Sequence, residues 1–128
     1  MVTATTLAAV AAGGALGASA RYLVGAAALR LMGPGFPWGT LFVNVAGSLA
    51  MGMLAVLLME RLPGAFPRWS AFLLTGVLGG FTTFSAFSLE VALMLERGEA
   101  LRAGAYVAAS VALGVGALFV GFLAARSL

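Results

Sequence analysis

The uncharged polar side chains of this 128-residue chain recur at helical spacing inside long apolar stretches. Thr40, Asn44 and Ser48 are each four residues apart, so they share one face of a helix. Tyr106 and Ser110 repeat that spacing nearer the C-terminus. Hydroxyl and amide groups can donate hydrogen bonds to an anion without carrying charge. They can equally bond to a neighbouring helix, and Ser110 to its own backbone one turn back; the spacing fits each reading.

A second polar group lies in the charge-free run from Trp69 to Leu89. Residues 79–87 read Gly-Gly-Phe-Thr-Thr-Phe-Ser-Ala-Phe. Gly and Thr are poor helix formers, and backbone opened at membrane depth is tolerated only where it is buried in protein or lines a polar cavity. We therefore expect a transmembrane helix that is broken near its middle, with an ion site beside the break.

The phenylalanines of this stretch suggest which ion. Phe84 and Phe87 are three residues apart and share a helix face, with Ser85 between them in sequence. An aromatic ring has a negative face and a positive edge, so ring edges turned into a narrow path would favour an anion. Ordinary packing explains most phenylalanine pairs, but hydroxyl groups beside a break favour the path.

Two ionisable residues lie within apolar stretches, Arg21 and Glu90. Charges inside a membrane are costly and usually face an interior or water. The two residues could form a structural ion pair. Alternatively, Arg21 could lie in an aqueous vestibule and raise the local concentration of anions.

The composition excludes most other functions. The chain is 62% hydrophobic and 9% charged, whereas about a quarter of the residues of a soluble domain are charged, so we expect an integral membrane protein. Asp, Cys, His and Lys are absent, which removes thiol chemistry, histidine metal sites and the usual catalytic triads. We expect no enzyme. The seven arginines form no basic run, so we also expect no nucleic-acid partner.

Four apolar segments account for the whole chain. A membrane-spanning helix needs roughly 20 apolar residues, and each segment is long enough. Trp38 and Trp69 stand at the start of a segment, where interfacial aromatic residues belong. We therefore expect a single all-α transmembrane domain over residues 1–128, with helices at about 5–32, 38–59, 69–95 and 101–125.

The arginines give almost no preference for one orientation in the membrane. With four spans, both termini and the second loop lie on one side, and the first and third loops lie on the other. The first side carries Arg61, Arg68 and Arg126; the second carries Arg30, Arg97 and Arg102. This balance favours dual topology, in which chains insert both ways and pair antiparallel, over a weak but single preference.

Three motifs, in order along the chain, resemble the Fluc/CrcB family of fluoride channels. The first segment has Gly-Gly-x-x-Gly-Ala-x-x-Arg-Tyr at 13–22. The second has Gly-Thr-Leu-Phe-Val-Asn-x-x-Gly-Ser at 39–48. The third is the stretch 79–87 described above. The length and the four-span layout also match the family.

The resemblance implies an antiparallel dual-topology homodimer in the inner (plasma) membrane. Its two pores would export fluoride passively and so lower fluoride toxicity in the cytoplasm. It also implies a structural Na⁺ on the dimer two-fold axis, bound by the backbone carbonyls of Gly79 and Thr82. Arg21 matches the vestibule arginine and Glu90 a polar position near the pore. With the donor argument above, the expected pore residues are Thr40, Asn44, Phe84, Ser85, Phe87, Tyr106 and Ser110.

Two departures and two rival functions bear on this interpretation. Ala86 replaces the family's second hydroxyl residue, and Gly114 stands where some relatives have Ser, so the continuation of the polar track is open. A proton-coupled multidrug exporter of similar size would need a carboxylate in the first helix, which has Arg21 and no acid. A non-transporting scaffold would explain the glycines but not a polar stripe beside a broken helix.

Overall fold

The computed structural model describes residues 2–128, and every regular element in that range is a helix. Four helical stretches are long and apolar enough to cross a membrane. We number them as the first to the fourth span in chain order. They are Ala4–Met32, Trp38–Arg61, Pro63–Glu96 and Ala100–Arg126.

The ends of the first span follow from local sequence. The hydroxyl of Thr3 accepts a hydrogen bond from the amide of Thr6 and so caps the helix Ala4–Met32. Gly33 ends that helix with a φ of 77°, a left-handed conformation that favours glycine. The second span is α-helical over Trp38–Val56 and closes with a π-helical turn, Leu57–Arg61.

The third span is interrupted. Its α-helix stops at Phe81; Thr82 (φ −87°, ψ 160°) and Thr83 (φ −151°, ψ 123°) are extended, and a new helix, Phe84–Glu96, begins. The predicted break is thus present but shorter than expected, because Gly79 to Phe81 remain helical. The elements before Thr82 are a 3₁₀ turn (Pro63–Ala65), short α-helices (Phe66–Trp69 and Gly79–Phe81) and a π-helix (Ser70–Leu78).

Glycines let the first span touch the backbone of the third. A methyl group on Gly17 would overlap the carbonyl oxygen of Val77, and one on Gly13 would overlap that of Phe72. Small residues allow such close approach between transmembrane helices. These two glycines of the first span therefore fix the part of the third span that precedes the break.

The second and fourth spans meet in the same way. A methyl group on Gly52 would overlap the carbonyl oxygen of Leu118, and one on Gly121 would overlap that of Leu49. Large apolar side chains elsewhere are exposed on the isolated chain, as on Leu101 and Leu31, where lipid or another copy can cover them. A small buried cluster of Met94, Ala103 and Tyr106 joins the second half of the third span to the fourth.

Candidate functional site

Asn44 of the second span holds the break in the third. Its Nδ2 donates to the carbonyl of Thr83 at 3.0 Å, and its Oδ1 accepts from the Thr83 amide at 2.8 Å. The Thr83 hydroxyl in turn accepts from the amide of Ala86 at 3.1 Å and caps the helix that follows. Asn44 therefore bonds between spans, and Thr83 starts the helix that carries the paired phenylalanines.

The hydrogen bonds around the break leave three carbonyls unused. The amide and the hydroxyl of Thr82 both donate to the carbonyl of Leu78 at 3.0 Å. Arg21 Nε donates to the carbonyl of Gly80 at 3.0 Å. Within residues 2–128 the carbonyls of Gly79, Phe81 and Thr82 have no hydrogen-bond partner, and Gly79 and Thr82 are the two that the family resemblance predicts as cation ligands. They are free to face a cation.

Glu90 joins two of the predicted polar residues. Its Oε2 accepts from the Thr40 hydroxyl at 2.8 Å, and its Oε1 accepts from the Tyr106 hydroxyl at 2.9 Å. Tyr106 is completely buried, while Thr40 and Glu90 are half-buried. The second, third and fourth spans are thus linked through one carboxylate, although its partners lie 50 and 16 residues away in sequence.

Arg21 and Glu90 do not pair with each other in the described part of the chain. Arg21 bonds to Gly80, and Glu90 bonds to Thr40 and Tyr106. Of the two readings that the sequence left open, the structural ion pair is absent. The guanidinium of Arg21 instead lies beside the break and lines a cavity.

Aromatic rings run from the break to Tyr106. The ring centroids of Phe84 and Phe87 are 5.7 Å apart, and those of Phe87 and Tyr106 are 5.1 Å apart. Phe36, from the first loop, packs edge-on against Tyr106 at 5.3 Å. Phe36 was not predicted to contribute, because the breaker residues around it indicate only a loop. Phe84 is 78% exposed on the isolated chain, so most of its ring surface is uncovered there apart from the contact with Phe87.

Three separate cavities around the break share lining residues. One of about 290 Å³ includes Thr40 and Glu90 in its wall. A second, of about 370 Å³, is lined by Arg21, Thr40 and Thr83. A third, of about 250 Å³, is lined by Asn44, Ser48, Thr83 and Phe84. Thr40 belongs to the first two and Thr83 to the last two, so polar walls continue from one side of the break to the other.

The serines are less closely joined to this site. The Ser110 hydroxyl is buried and has no hydrogen-bond partner within residues 2–128, so the predicted alternative bond to its own helix is not formed there. The Ser85 hydroxyl is exposed and lies 3.3 Å from that of Thr83. Ser48 lies near Gly114, where a methyl group would be 3.8 Å from the Ser48 hydroxyl. A serine at 114 would therefore meet the polar stripe.

Charged residues around the third loop form a compact cluster. In the third loop Glu99 bonds to Arg97 and, at 3.4 Å, to Arg102, whose Nη2 donates to the carbonyl of Gly35 at 2.6 Å. The hydrogen bond from Arg97 holds the pKa of Glu99 below its usual value. This cluster ties the first loop, and so Phe36, to the third loop.

Comparison with known proteins gives one matching family and several similar proteins that share one name. The family described as CrcB-like protein, Camphor Resistance (CrcB), matches residues 8–122. A protein of Hyphomonas neptunium is 62% identical over 117 residues, 91% of this chain and 92% of the relative. Proteins of Caulobacter vibrioides (56% over 117 residues, 91% and 92%) and Rhizobium meliloti (53% over 119 residues, 93% and 94%) are also similar. All three are named Fluoride-specific ion channel FluC.

Proposed function

This chain belongs to the CrcB family, and on that premise we propose that it is a passive, fluoride-selective ion channel of the inner membrane. The observation that carries the proposal is identity of 62% to a fluoride-specific channel over nearly the full length of both chains. The family consists of channels, not enzymes. Passive outflow through this multi-pass protein would lower the fluoride concentration in the cytoplasm.

Neutral donors suit the conduction of fluoride. Fluoride is small and strongly hydrated, so a selective path must replace its water with hydrogen-bond donors. The second Nδ2 proton of Asn44 remains available, since an amide nitrogen carries two protons and Thr83 uses one. The Ser110 hydroxyl is available to donate, because it has no hydrogen-bond partner within residues 2–128. The Ser85 hydroxyl, 3.3 Å from that of Thr83, is a second neutral donor beside the break. Conduction needs weak binding at several sites, which such donors provide.

Aromatic edges would complete the path. Phe84 and Phe87 lie 5.7 Å apart beside the break, and Thr83 and Phe84 line the cavity that contains Asn44. The positive edge of each ring can face an anion without binding it as tightly as a fixed charge would. Thr40, Glu90 and Tyr106 would extend the polar wall on the other side of the break.

We further propose that the functional unit is an antiparallel homodimer of dual topology. The balanced arginines of the two sides support insertion in both orientations. The exposure of Phe84, at 78%, and of Gly79 supports a second copy that covers this face. Each copy would then contribute to the surroundings of the other's pore.

A Na⁺ ion between the two copies fits the donor set at the break. Hard cations prefer oxygen ligands, and the carbonyls of Gly79 and Thr82 are two of the three at the break that have no hydrogen-bond partner within residues 2–128. When bound, the cation would supply positive charge that holds the two breaks together. Gly79 and Thr82 of each copy would hold it.

Fluoride efflux from proteoliposomes tests the proposed function. We expect a fluoride electrode to record rapid efflux that is independent of a pH gradient, with chloride-loaded vesicles as the control. Efflux of chloride at the same rate would contradict selectivity. Proton-driven uptake of a lipophilic cation would instead identify a multidrug exporter. The sequence already argues against that function, because the first span contains Arg21 and no acidic residue.

A further inference from the structure

The hydrogen bond between Arg21 and Gly80 replaces one that the break removes. In an unbroken α-helix the Gly80 carbonyl would accept from the amide of Phe84, four residues on. The extended backbone at Thr82 and Thr83 carries that amide into a new helix. Arg21 Nε donates to the same carbonyl at 3.0 Å, from 59 residues away. The guanidinium thus satisfies a polar group that membrane depth makes costly to leave unpaired.

Close packing fixes the direction of this donor. Gly17 lies one turn before Arg21 on the same helix face, and a methyl group on Gly17 would overlap the Val77 carbonyl oxygen. A methyl group on Gly80 would lie 2.7 Å from the carbonyl oxygen of Gly14. The two backbones touch immediately beside the Arg21 side chain, so the hydrogen bond joins two elements that are already held in register.

Side chains hold two carbonyls along the break, and the carbonyls of the two proposed cation ligands are not held. Gly80 is held by Arg21 and Thr83 by Asn44, while Gly79 and Thr82 have no partner within residues 2–128. Gly79 to Phe81 form the last helical turn before the break, so the directions of their carbonyls are coupled through the helical backbone. The bond from Arg21 to the Gly80 carbonyl therefore restrains the turn to which the Gly79 carbonyl belongs.

We propose that Arg21 is a positioning residue of the break, which holds the carbonyls at which the proposed Na⁺ binds. The inference rests on the cation site of the proposed function. It differs from a role as vestibule charge, which Arg21 could also fill because it lines the cavity of about 370 Å³. A positioning role depends on the planar Nε–H donor, whereas a vestibule role depends only on positive charge.

Cation titrations of three variants separate these roles. Arg21→Lys keeps the charge and loses the Nε donor, and Arg21→Gln loses both. Arg30→Gln, at the exposed end of the same helix, removes the same charge as a control. We expect the Na⁺ concentration that gives half of the gain in thermal stability, with choline as replacement, to rise about tenfold or more for both Arg21 variants. Arg30→Gln is expected to stay within about twofold of the wild type.

Two results would overturn the inference. The first is a wild-type Na⁺ dependence in both Arg21→Lys and Arg21→Gln, together with slower fluoride efflux in Arg21→Gln alone. Arg21 would then act only as a positive charge in the vestibule. Independently of any cation, we expect the carbonyl ¹³C resonance of Gly80 in bilayers to move in both Arg21 variants and not in Arg30→Gln. An unmoved resonance also overturns it. If the resonance moves but the thermal stability of the wild-type protein does not depend on Na⁺, the positioning role is supported and the cation site is refuted.

Discussion

The side-chain amide of Asn44 pairs with both backbone groups of Thr83, donating to its carbonyl at 3.0 Å and accepting from its amide at 2.8 Å. A neighbouring β-strand would offer the same two bonds to an extended residue. One side chain thus holds the open backbone and keeps a spare proton for a passing anion. In the proposed channel, the break and the pore would both depend on Asn44.

Asn44→Ala is therefore expected to destabilise the break and to slow fluoride efflux. It leaves the amide and the carbonyl of Thr83 unpaired at membrane depth, which costs about 1–3 kcal/mol for each group, and it removes the spare donor. We expect fluoride efflux to fall by at least about tenfold and the protein to unfold at lower denaturant. Val45→Ala, the next residue in the same helix, serves as the control. Efflux at the full rate in Asn44→Ala would remove Asn44 from the pore.

The carboxylate of Glu90 needs both of its donors. Tyr106→Phe removes only the hydroxyl that lies 2.9 Å from Oε1 and leaves a carboxylate oxygen without that donor, so we expect the free energy of unfolding to fall by about 1–3 kcal/mol. Tyr22→Phe is the matched control, because Tyr22 is 76% exposed. Unfolding in mixed micelles measures both. Equal stability of the two variants would show that the bond contributes nothing.

The contact between the first and third spans tolerates no side chain at Gly17. Gly17→Ala places a methyl group on the Val77 carbonyl oxygen, and neither backbone can move aside cheaply, so we expect a loss of about 1–3 kcal/mol. Gly116→Ala has open space around it and is expected to leave stability unchanged or to raise it by up to about 1 kcal/mol through helix propensity. A destabilised Gly116→Ala beside an unaffected Gly17→Ala would contradict the packing described here.

The Glu99 cluster makes stability depend on pH. The hydrogen bond from Arg97 lowers the pKa of Glu99 from the ordinary value of 4.5. The contribution to stability is therefore complete above about pH 4.5 and is lost as the pH falls through the lower pKa of the folded state. We expect Glu99→Gln to flatten this part of the melting-temperature profile. Glu96→Gln, at the exposed last residue of the third span, should retain the wild-type profile.

The order of the spans and the presence of a break can be predicted from the amino-acid sequence, whereas most contacts between the spans cannot. Apolar runs predict the four spans, and Gly79-Gly80 beside Thr82-Thr83 predicts an interruption, because these residue types lose little by leaving a helix. The observed break is shorter, since the helix continues through Phe81. Sequence spacing does not reveal that limit, which the hydrogen bonds of Asn44 and Thr82 set.

The hydrogen-bond partners of side chains on different spans could not be predicted from the sequence. Spacing places Thr40, Asn44 and Ser48 on one face but says nothing about how that helix is rotated against the third. Asn44 consequently reaches a backbone 39 residues away, and Thr40 reaches Glu90, 50 residues away. Arg21 and Glu90 looked like possible partners only because both are charged. Each finds a different partner because the glycine contacts fix the first span against the other half of the third.

The two predicted pore phenylalanines differ in burial, and this difference yields the last prediction. Phe84 is 78% exposed, whereas Phe87 is half-buried and packs 5.1 Å from the Tyr106 ring. Phe87→Ala should therefore lower both stability and fluoride efflux, because it removes buried aromatic surface as well as a ring edge. Phe84→Ala should leave the stability of the chain nearly unchanged and still abolish most efflux.

The comparison with an exposed ring elsewhere makes the Phe84 result specific. Phe119→Ala, at 58% exposure on the fourth span, removes the same side chain from a surface that has no predicted role in conduction. Both variants are expected to unfold at the wild-type denaturant concentration, and only Phe84→Ala to lose efflux by at least about tenfold. If fluoride crosses the membrane at the full rate in Phe84→Ala, the exposed ring faces only lipid and the anion takes another path.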